Sequence, residues 1–434
     1  MTSYPEYKAT NLPWLPQIPT HWNTLKVKYA FSERSEKGFP NEPLLAATQT
    51  HGVIPKSLYE TRTVEAQKDL HLLKLVKVGD FVISLRSFQG GIEYAYYQGI
   101  ISPAYTIMIP NNAHIESAYF KYLAKSKPFV KLLQTCVTGI REGQNIDYNT
   151  LKRNSIPIPS ATEQKQIVRY LDSMTAKINK LIRAKKKICD LIFEEILLLA
   201  NGHISNTNLP RYRLKNIIKL VGDQIIRENE TLYTPIGVLN RGRGIFHKQQ
   251  LFGKDLGDSE FFNVSPGDMI FSGQFAWEGA VAILQETERG CIASHRYPLA
   301  RAINPELLKL EYLWAFFQTK YGDMLLNIHS HGAAGRNRPL NIIRLLSEAI
   351  PIPPLEEQKK IERLFLQLKE VKELAVKYSA QLQEYKNSLI ASVVTGQVDV
   401  RNIQVENFDP ADLISDTDDD PAEDDAQPQE ESEK

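Results

Sequence analysis

The chain has 434 residues, 42% of them hydrophobic, enough for two or three cores; with no apolar run near the ~18 residues of a membrane span, a helical membrane protein is excluded. Three distant cysteines, Cys136, Cys189 and Cys291, exclude a CxxC metal site or disulfide framework and are expected as small buried hydrophobes in a reducing, cytoplasmic compartment. The net charge of +1 conceals an asymmetry: residues 402–434 hold 13 acidic residues and one basic, leaving 51 basic and 38 acidic residues, a net of +13, on residues 1–401.

Along the chain, the start Met1-Thr2-Ser3-Tyr4-Pro5-Glu6 lacks the basic-then-apolar pattern of a signal peptide. Strands are predicted at Gly79-Asp80-Phe81-Val82-Ile83-Ser84 and Tyr105-Thr106-Ile107-Met108-Ile109, where β-branched and aromatic residues follow turn-forming ones. A helix is expected over residues 116–125, then a polar loop and the extended segment Ile156-Pro157-Ile158-Pro159. Ser160 and Glu163 have the spacing of a capping box and open a long helix. Its apolar positions Ile167, Leu171, Met174, Ile178, Leu181, Ile188 and Ile192 alternate by three and four, interrupted by Lys185, up to a stop at Asn201-Gly202.

The same order returns in the second half. Gly242-Arg243-Gly244 is expected in a loop because no helical pattern follows it. A strand is predicted at Gly267-Asp268-Met269-Ile270-Phe271-Ser272 and a helix over residues 306–320. Ile350-Pro351-Ile352-Pro353 then leads through Pro354, a residue suited to a first helical turn, into a second long helix ending at Thr395-Gly396. Its seam is Leu364, Leu368, Val371, Ala375, Tyr378, Leu382, Tyr385 and Leu389. Roughly 38 helical residues rise about 57 Å, and two such helices in one chain most simply pack on each other. Residues 397–434, poor in apolar side chains, are expected to be a disordered acidic tail.

This is an internal repeat. Ile156-Pro157-Ile158-Pro159 and Glu163-Gln164-Lys165 recur 194 residues later as Ile350-Pro351-Ile352-Pro353 and Glu357-Gln358-Lys359, a coincidence of order 10⁻⁸ per comparison at average residue frequencies. Ile167 and Arg169 match Ile361 and Arg363 at the same offset. Gly79-Asp80 pairs with Gly267-Asp268, and Ser102/Tyr105 with Ser294/Tyr297.

Catalytic constellations are not evident. There is no GxxxxGK[ST] loop, no dinucleotide fingerprint, and no Asn/Asp-Pro-Pro-Tyr run of the kind that grips an extruded adenine. His329-Ser330-His331 has no nearby Cys or Asp and is taken as a pair of solvated histidines; Asp80 and Asp268 are taken as turn residues. No cofactor or metal is expected, and two similar modules without an active site suit recognition better than turnover.

The paired IPIP and EQK segments, each opening a long helix, resemble the specificity subunits of Type I restriction–modification systems. Trp22 leading to Leu25, Ser102-Pro103-Ala104-Tyr105, and the loops Thr138 to Ile146 and Gly335 to Leu340 are similar too. The resemblance spans about residues 11–396. It implies an α+β fold with two mixed target-recognition domains, over residues 1–159 and 201–353, separated by two long antiparallel coiled-coil helices over residues 160–200 and 354–396, in a pseudo-twofold repeat. It further implies a non-catalytic, DNA-binding subunit with methyltransferase (M) subunits, two of them, and restriction motor–nuclease (R) subunits as partners. Each half would read one part of a bipartite double-stranded DNA target.

Loop Arg, Asn and Gln residues can make bidentate base contacts. They mark Arg86, Gln89, Arg141, Gln144 and Asn145 in the first domain, and Gln274, Arg336, Asn337 and Arg338 in the second. Each singly is as readily an exposed loop polar or a phosphate contact. Leu171, Ile178, Leu181, Leu368, Leu382 and Leu389 are expected to bury between the long helices. The tail is either a solvating extension or a competitor of DNA for the basic surface. Two other classes stay open: a scaffold whose strand-rich parts bind peptides or sugars, distinguished by its lack of salt-sensitive DNA binding, and a nuclease, distinguished by metal-dependent cleavage.

Overall fold

The computed structural model describes residues 2–58, 69–85, 87–139, 145–332 and 338–413. The chain groups into two compact units, one joining residues 2–183 with 377–413, the other holding 184–376. This grouping cuts both long helices, Ala161–Ser205 and Leu355–Val394, because each unit keeps the helix halves that share its core.

Each unit is built on an antiparallel four-stranded sheet of the same order. In the first it runs Phe31–Arg34, Thr106–Pro110, Phe81–Ile83, Glu93–Tyr94; in the second, Ile218–Val221, Leu299–Ala302, Met269–Phe271, Val281–Ile283. The central strands Phe81–Ile83 and Met269–Phe271 are buried at every position because the sheet is covered on both faces. Phe81 and Ile83 join the helix-side core, while Val82 joins Leu45, Val53, Val76 and Ile107 on the other face. Met269 and Phe271 against Ile270 divide in the same way.

Two helices cover one face in each unit: Ser117–Lys125 and Lys127–Thr135, then Leu310–Phe317 and Lys320–Ile328. The single helix expected over residues 306–320 is thus shorter and is succeeded by another, capped by the Thr319 side chain, which accepts from the Gly322 N–H.

Each isoleucine–proline segment is a short strand beside an upstream partner: Ser155–Ile158 on Asn23–Lys26, and Ala349–Pro351 on Arg211–Arg213. The glutamine of each EQK locks the start of its long helix in place. Gln164 accepts from the Glu116 N–H at 2.8 Å and donates to the carbonyls of His114 and Pro159. Gln358 accepts from the Lys309 N–H at 2.8 Å and donates to those of Leu307 and Pro353. Tyr119 and Tyr312 complete the match by donating to the carbonyls of Pro157 and Pro351. One buried amide therefore ties long helix, short strand and covering helix together twice over.

Within the first unit the beginning of the first long helix meets the end of the second. Ile167 and Leu171 share a core with Leu389, Val393 and Val394, and Lys386 reaches Asn179. In the second unit Cys189, Ile192 and Ile196 share a core with Ile361 and Leu368, so the helices run antiparallel. Leu171, Ile178, Leu368 and Leu389 are buried and Leu382 is half-buried, but Leu181 is 52% exposed and Ile188 49%. The expectation for Leu181 is corrected. A strict heptad drifts by about 20° per repeat on a straight helix, and the buried stripe passes instead through Cys189, Ile192, Ile196 and Ala200. Tyr378 and Tyr385, also placed on the seam by spacing, are each 45% exposed. The first helix also continues past Asn201-Gly202 to Ser205.

The expected disorder from residue 397 is corrected as well, since residues 397–413 are built into the first unit. Gly396 ends the helix at φ +76°, and the N–H groups of Gln397 and Val398 both return to the Ser392 carbonyl. Val398, Val400, Ile403 and Val405 then pack on the first core. Gln166 donates to the carbonyls of Val400 and Ile403, Ser173 to Glu406, and Asn179 to Asp412 and Leu413. Lys177–Glu406 and Arg183–Asp412 ion pairs flank this strap. Composition hid the order because the polar groups of the segment are satisfied by the helix rather than by water.

Candidate nucleic-acid interface

The turn after each central strand is the hub of a three-loop cluster. In the first unit Ser84 and Ser87 bond to each other and start the short helix Ser87–Gly90. In the second, Ser272 receives the N–H groups of Phe275 and Ala276 ahead of Ala276–Glu278.

A β-hairpin reaches each hub. Leu45–Thr48 pairs with Gly52–Pro55, and its tip residue Gln49 lies against Gly90, where a Cβ would meet the Gln49 side chain at 2.8 Å. Lys125 braces this corner by donating to the Gln49 carbonyl and to both oxygens of Glu93 at 2.7 Å. Burial nevertheless pushes the Glu93 carboxyl up to about 7, the Lys125 charge offsetting only part of the desolvation. In the second unit Ile236–Leu239 pairs with Gly244–His247, and the N–H groups of Arg241 and Gly242 bond to the carbonyls of Glu278 and Gly279. Gly242-Arg243-Gly244 is indeed a hairpin turn. Asn240 donates to Glu278 and receives Arg243.

The third member of each cluster is a narrow stem. Val137–Thr138 pairs with Asn145–Ile146 in the first unit, and Ser330 bridges Leu340 in the second. The Leu340 N–H bonds the Gly273 carbonyl at 2.7 Å, fixing stem to hub.

Of the candidates for DNA contact, the structure brings Gln89 and Asn145, both exposed, onto neighbouring hub and stem segments of the first unit. It brings half-buried Gln274 and exposed Arg338 onto the hub and stem of the second, with the Arg338 guanidinium 4.5 Å from the Trp277 ring centroid. Arg86, Arg141, Gln144, Arg336 and Asn337 lie outside the described residues. Sequence reasoning placed Gly242-Arg243-Gly244 in a loop but took neither hairpin tip as a DNA contact; the register 191 residues apart, Leu45 against Ile236, was a signal too divergent in sequence to see.

Two chemical expectations change. His329 is not solvated: its side chain is 11% exposed and Nε2 lies 2.9 Å from a Glu348 carboxylate oxygen, because the preceding helix ends at the stem and turns it inward. Asp80 and Asp268 are more than turn residues. Asp80 takes Arg34 at 2.9 and 3.2 Å, and Asp268 takes Arg301 at 2.6 and 2.7 Å, each pair stitching the hub strand to another strand of its sheet. Cys136, Cys189 and Cys291 are free and buried. Among the described residues no cluster of metal-ligating side chains occurs, and no helix is long and apolar enough to cross a membrane.

The model of the Type I restriction modification DNA specificity domain matches residues 32–188 and again 204–384. The Type I restriction enzyme MjaVIII specificity subunit of Methanocaldococcus jannaschii is 23% identical over 357 residues, covering 76% of this chain and 81% of the relative. A second relative from that organism is 22% identical over 365 residues, 77% of this chain and 82% of its own. A chain from a solved type I R-M system superimposes with a TM-score of 0.57 at 15% identity, over 88% of this chain and 99% of that one, which supports the fold. With two matched copies covering most of its length, the chain belongs to the Type I restriction–modification specificity family, as a non-catalytic DNA-recognition subunit.

Proposed function

We propose that each unit reads one part of a bipartite double-stranded DNA target through its hairpin, hub and stem loops. The observation that carries this is the repetition of the three-loop cluster on the same glutamine-locked frame. A frame held by identical bonds can present different side chains without losing its shape. Gln89 and Asn145 in one unit, and Gln274 in the other, are the described candidates for readout of base edges, which Asn and Gln suit, and Arg338 is a candidate for contact with base or backbone. The chemistry belongs to partners: two methyltransferase subunits, docked near the two isoleucine–proline segments, and restriction motor–nuclease subunits. The long helices, continuous from one unit into the other, set the unspecified spacer between the two parts.

The test is exchange of residues 1–155 for the same region of a relative, with mapping of methylated adenines in DNA exposed to the assembled complex. One half of the target changes and the other stays. A change in both halves would end the model of independent reading.

A further inference from the structure

We propose that Arg241, Arg296 and Arg338 form a phosphate-contacting cluster that holds the second unit on the backbone of the duplex. This rests on the DNA-reading function above and assigns it residues that sequence reasoning, apart from Arg338, did not single out.

Three chain segments deliver these arginines to one hub turn. The Arg296 carbonyl accepts from the Gly273 N–H at 2.7 Å, an approach so close that a Cβ on Gly273 would sit 2.4 Å from it. Arg241 is fastened to the far end of the turn by its N–H to the Glu278 carbonyl at 2.8 Å. Arg338 stacks on Trp277 within the turn. All three side chains are exposed, and none pairs with a carboxylate among the described residues. Arg34, Arg183, Arg289, Arg301 and Arg401, by contrast, each hold one.

Arg241 also adopts φ +52°, a left-handed conformation that is strained for a residue with a Cβ. Asn or Gly would occupy that turn more cheaply, so the side chain rather than the backbone accounts for arginine there. The Arg338 guanidinium lies over the Trp277 ring, 4.5 Å from its centroid, a contact compatible with its N–H donors reaching phosphate oxygens. Beneath the turn, Trp277 Nε1, Gln318 Nε2 and Ser330 Oγ are buried without a partner among the described residues. Each is destabilising, so this corner is not optimised for stability alone.

The first unit does not repeat the cluster. Its hairpin tip is Gln49-Thr50-His51, the residue matching Arg296 through Ser102/Ser294 is Ala104, and the one matching Arg338 at an offset of 194 is Gln144. None of these is Arg or Lys. The two units thus share a frame, and this trio of arginines is particular to the second.

The experiment uses the complex assembled with its methyltransferase subunits and a duplex bearing the mapped target, titrated from 50 to 300 mM salt. With Arg241, Arg296 and Arg338 all changed to Ala, the slope of log affinity against log salt falls in magnitude by about 2–3, near 0.9 for each phosphate no longer neutralised. Binding weakens equally on target and scrambled duplexes. The triple Arg→Lys variant recovers most of the slope. An unaltered slope in the triple alanine variant overturns the proposal. So does a loss confined to the target duplex and not restored by lysine, which would mean base reading. If the unsubstituted complex itself shows no salt-dependent duplex binding, the DNA-reading function falls too, which separates the two failures.

Discussion

Leucine in place of Gln358 keeps the volume of the side chain and removes three hydrogen bonds: from the Lys309 N–H at 2.8 Å, and to the carbonyls of Leu307 and Pro353, both at 2.9 Å. Lys309 immediately precedes the helix Leu310–Phe317, so its N–H has no partner within that helix. Stranding that donor and two partly or wholly buried acceptors costs about 2–4 kcal/mol. The chain has two compact units, for which a single whole-chain unfolding free energy is not well defined, so the assay must be local. Hydrogen exchange of peptides spanning residues 305–317 should accelerate by roughly 30- to 700-fold, at 1.4 kcal/mol per factor of ten. Gln164→Leu should do the same for residues 112–125, toward the lower end because one of its bonds is 3.2 Å. An acceleration below threefold in both variants would refute the role given to the glutamine lock.

Glu93 offers a pH test. Its carboxyl titrates near 7 when folded, above the 4.5 of the free side chain, so the folded state holds the proton more tightly. Its contribution is fully present below about 4.5 and is lost as pH rises toward 7. The first unit should lose on the order of 1–3 kcal/mol across that window by urea unfolding, and Glu93→Gln should abolish the loss. Gly396→Ala combines a left-handed φ of +76° with a Cβ 2.4 Å from Pro19 Cδ; thermal unfolding of the first unit should drop by about 2 kcal/mol or more. Ending the chain after Arg401 removes Ile403, Val405 and the partners of Ser173 and Asn179. It should raise hydrogen exchange in residues 166–183 while leaving the second unit unchanged.

Much of this fold could be read in the sequence because the repeat falls on residues whose bonds demand particular atoms. Only a glutamine at position 164 or 358 can both accept an N–H and donate to two carbonyls, so that letter survives in both copies. Tyr119 and Tyr312 make equivalent bonds 193 residues apart, but a lone tyrosine is too common to announce a match. The hairpins were invisible for a different reason. Their pairing is made by backbone groups, which Leu45-Ala46-Ala47-Thr48 and Ile236-Gly237-Val238-Leu239 supply equally well. The seam misled at Leu181 because spacing records periodicity, whereas burial depends on which core the helix faces at each level.

Shared letters are not shared roles, and Glu163 and Glu357 show why. Both open an EQK, yet Glu163 is buried at 4% exposure and gathers Tyr4, His21 and Trp22 around its two oxygens. Glu357 is partly exposed and pairs only with Lys360 among the described residues, one turn along its own helix. The difference arises from chain connectivity. The first unit must close over the start of the chain and over residues 397–413, and the Asp399 N–H bonds the Thr2 carbonyl, so a buried carboxylate is given three donors to hold. In the second unit the chain enters through the first long helix itself, Leu209 stands where the sheet register would place Trp22, and among the described residues no Trp or Tyr donates to Glu357. Glu163→Gln should therefore loosen the N-terminal segment as seen by exchange in residues 2–22, whereas Glu357→Gln should leave exchange in its own unit essentially unchanged. Equal effects in the two units would mean that the carboxylate serves the helix start alone and not the closure of the first unit.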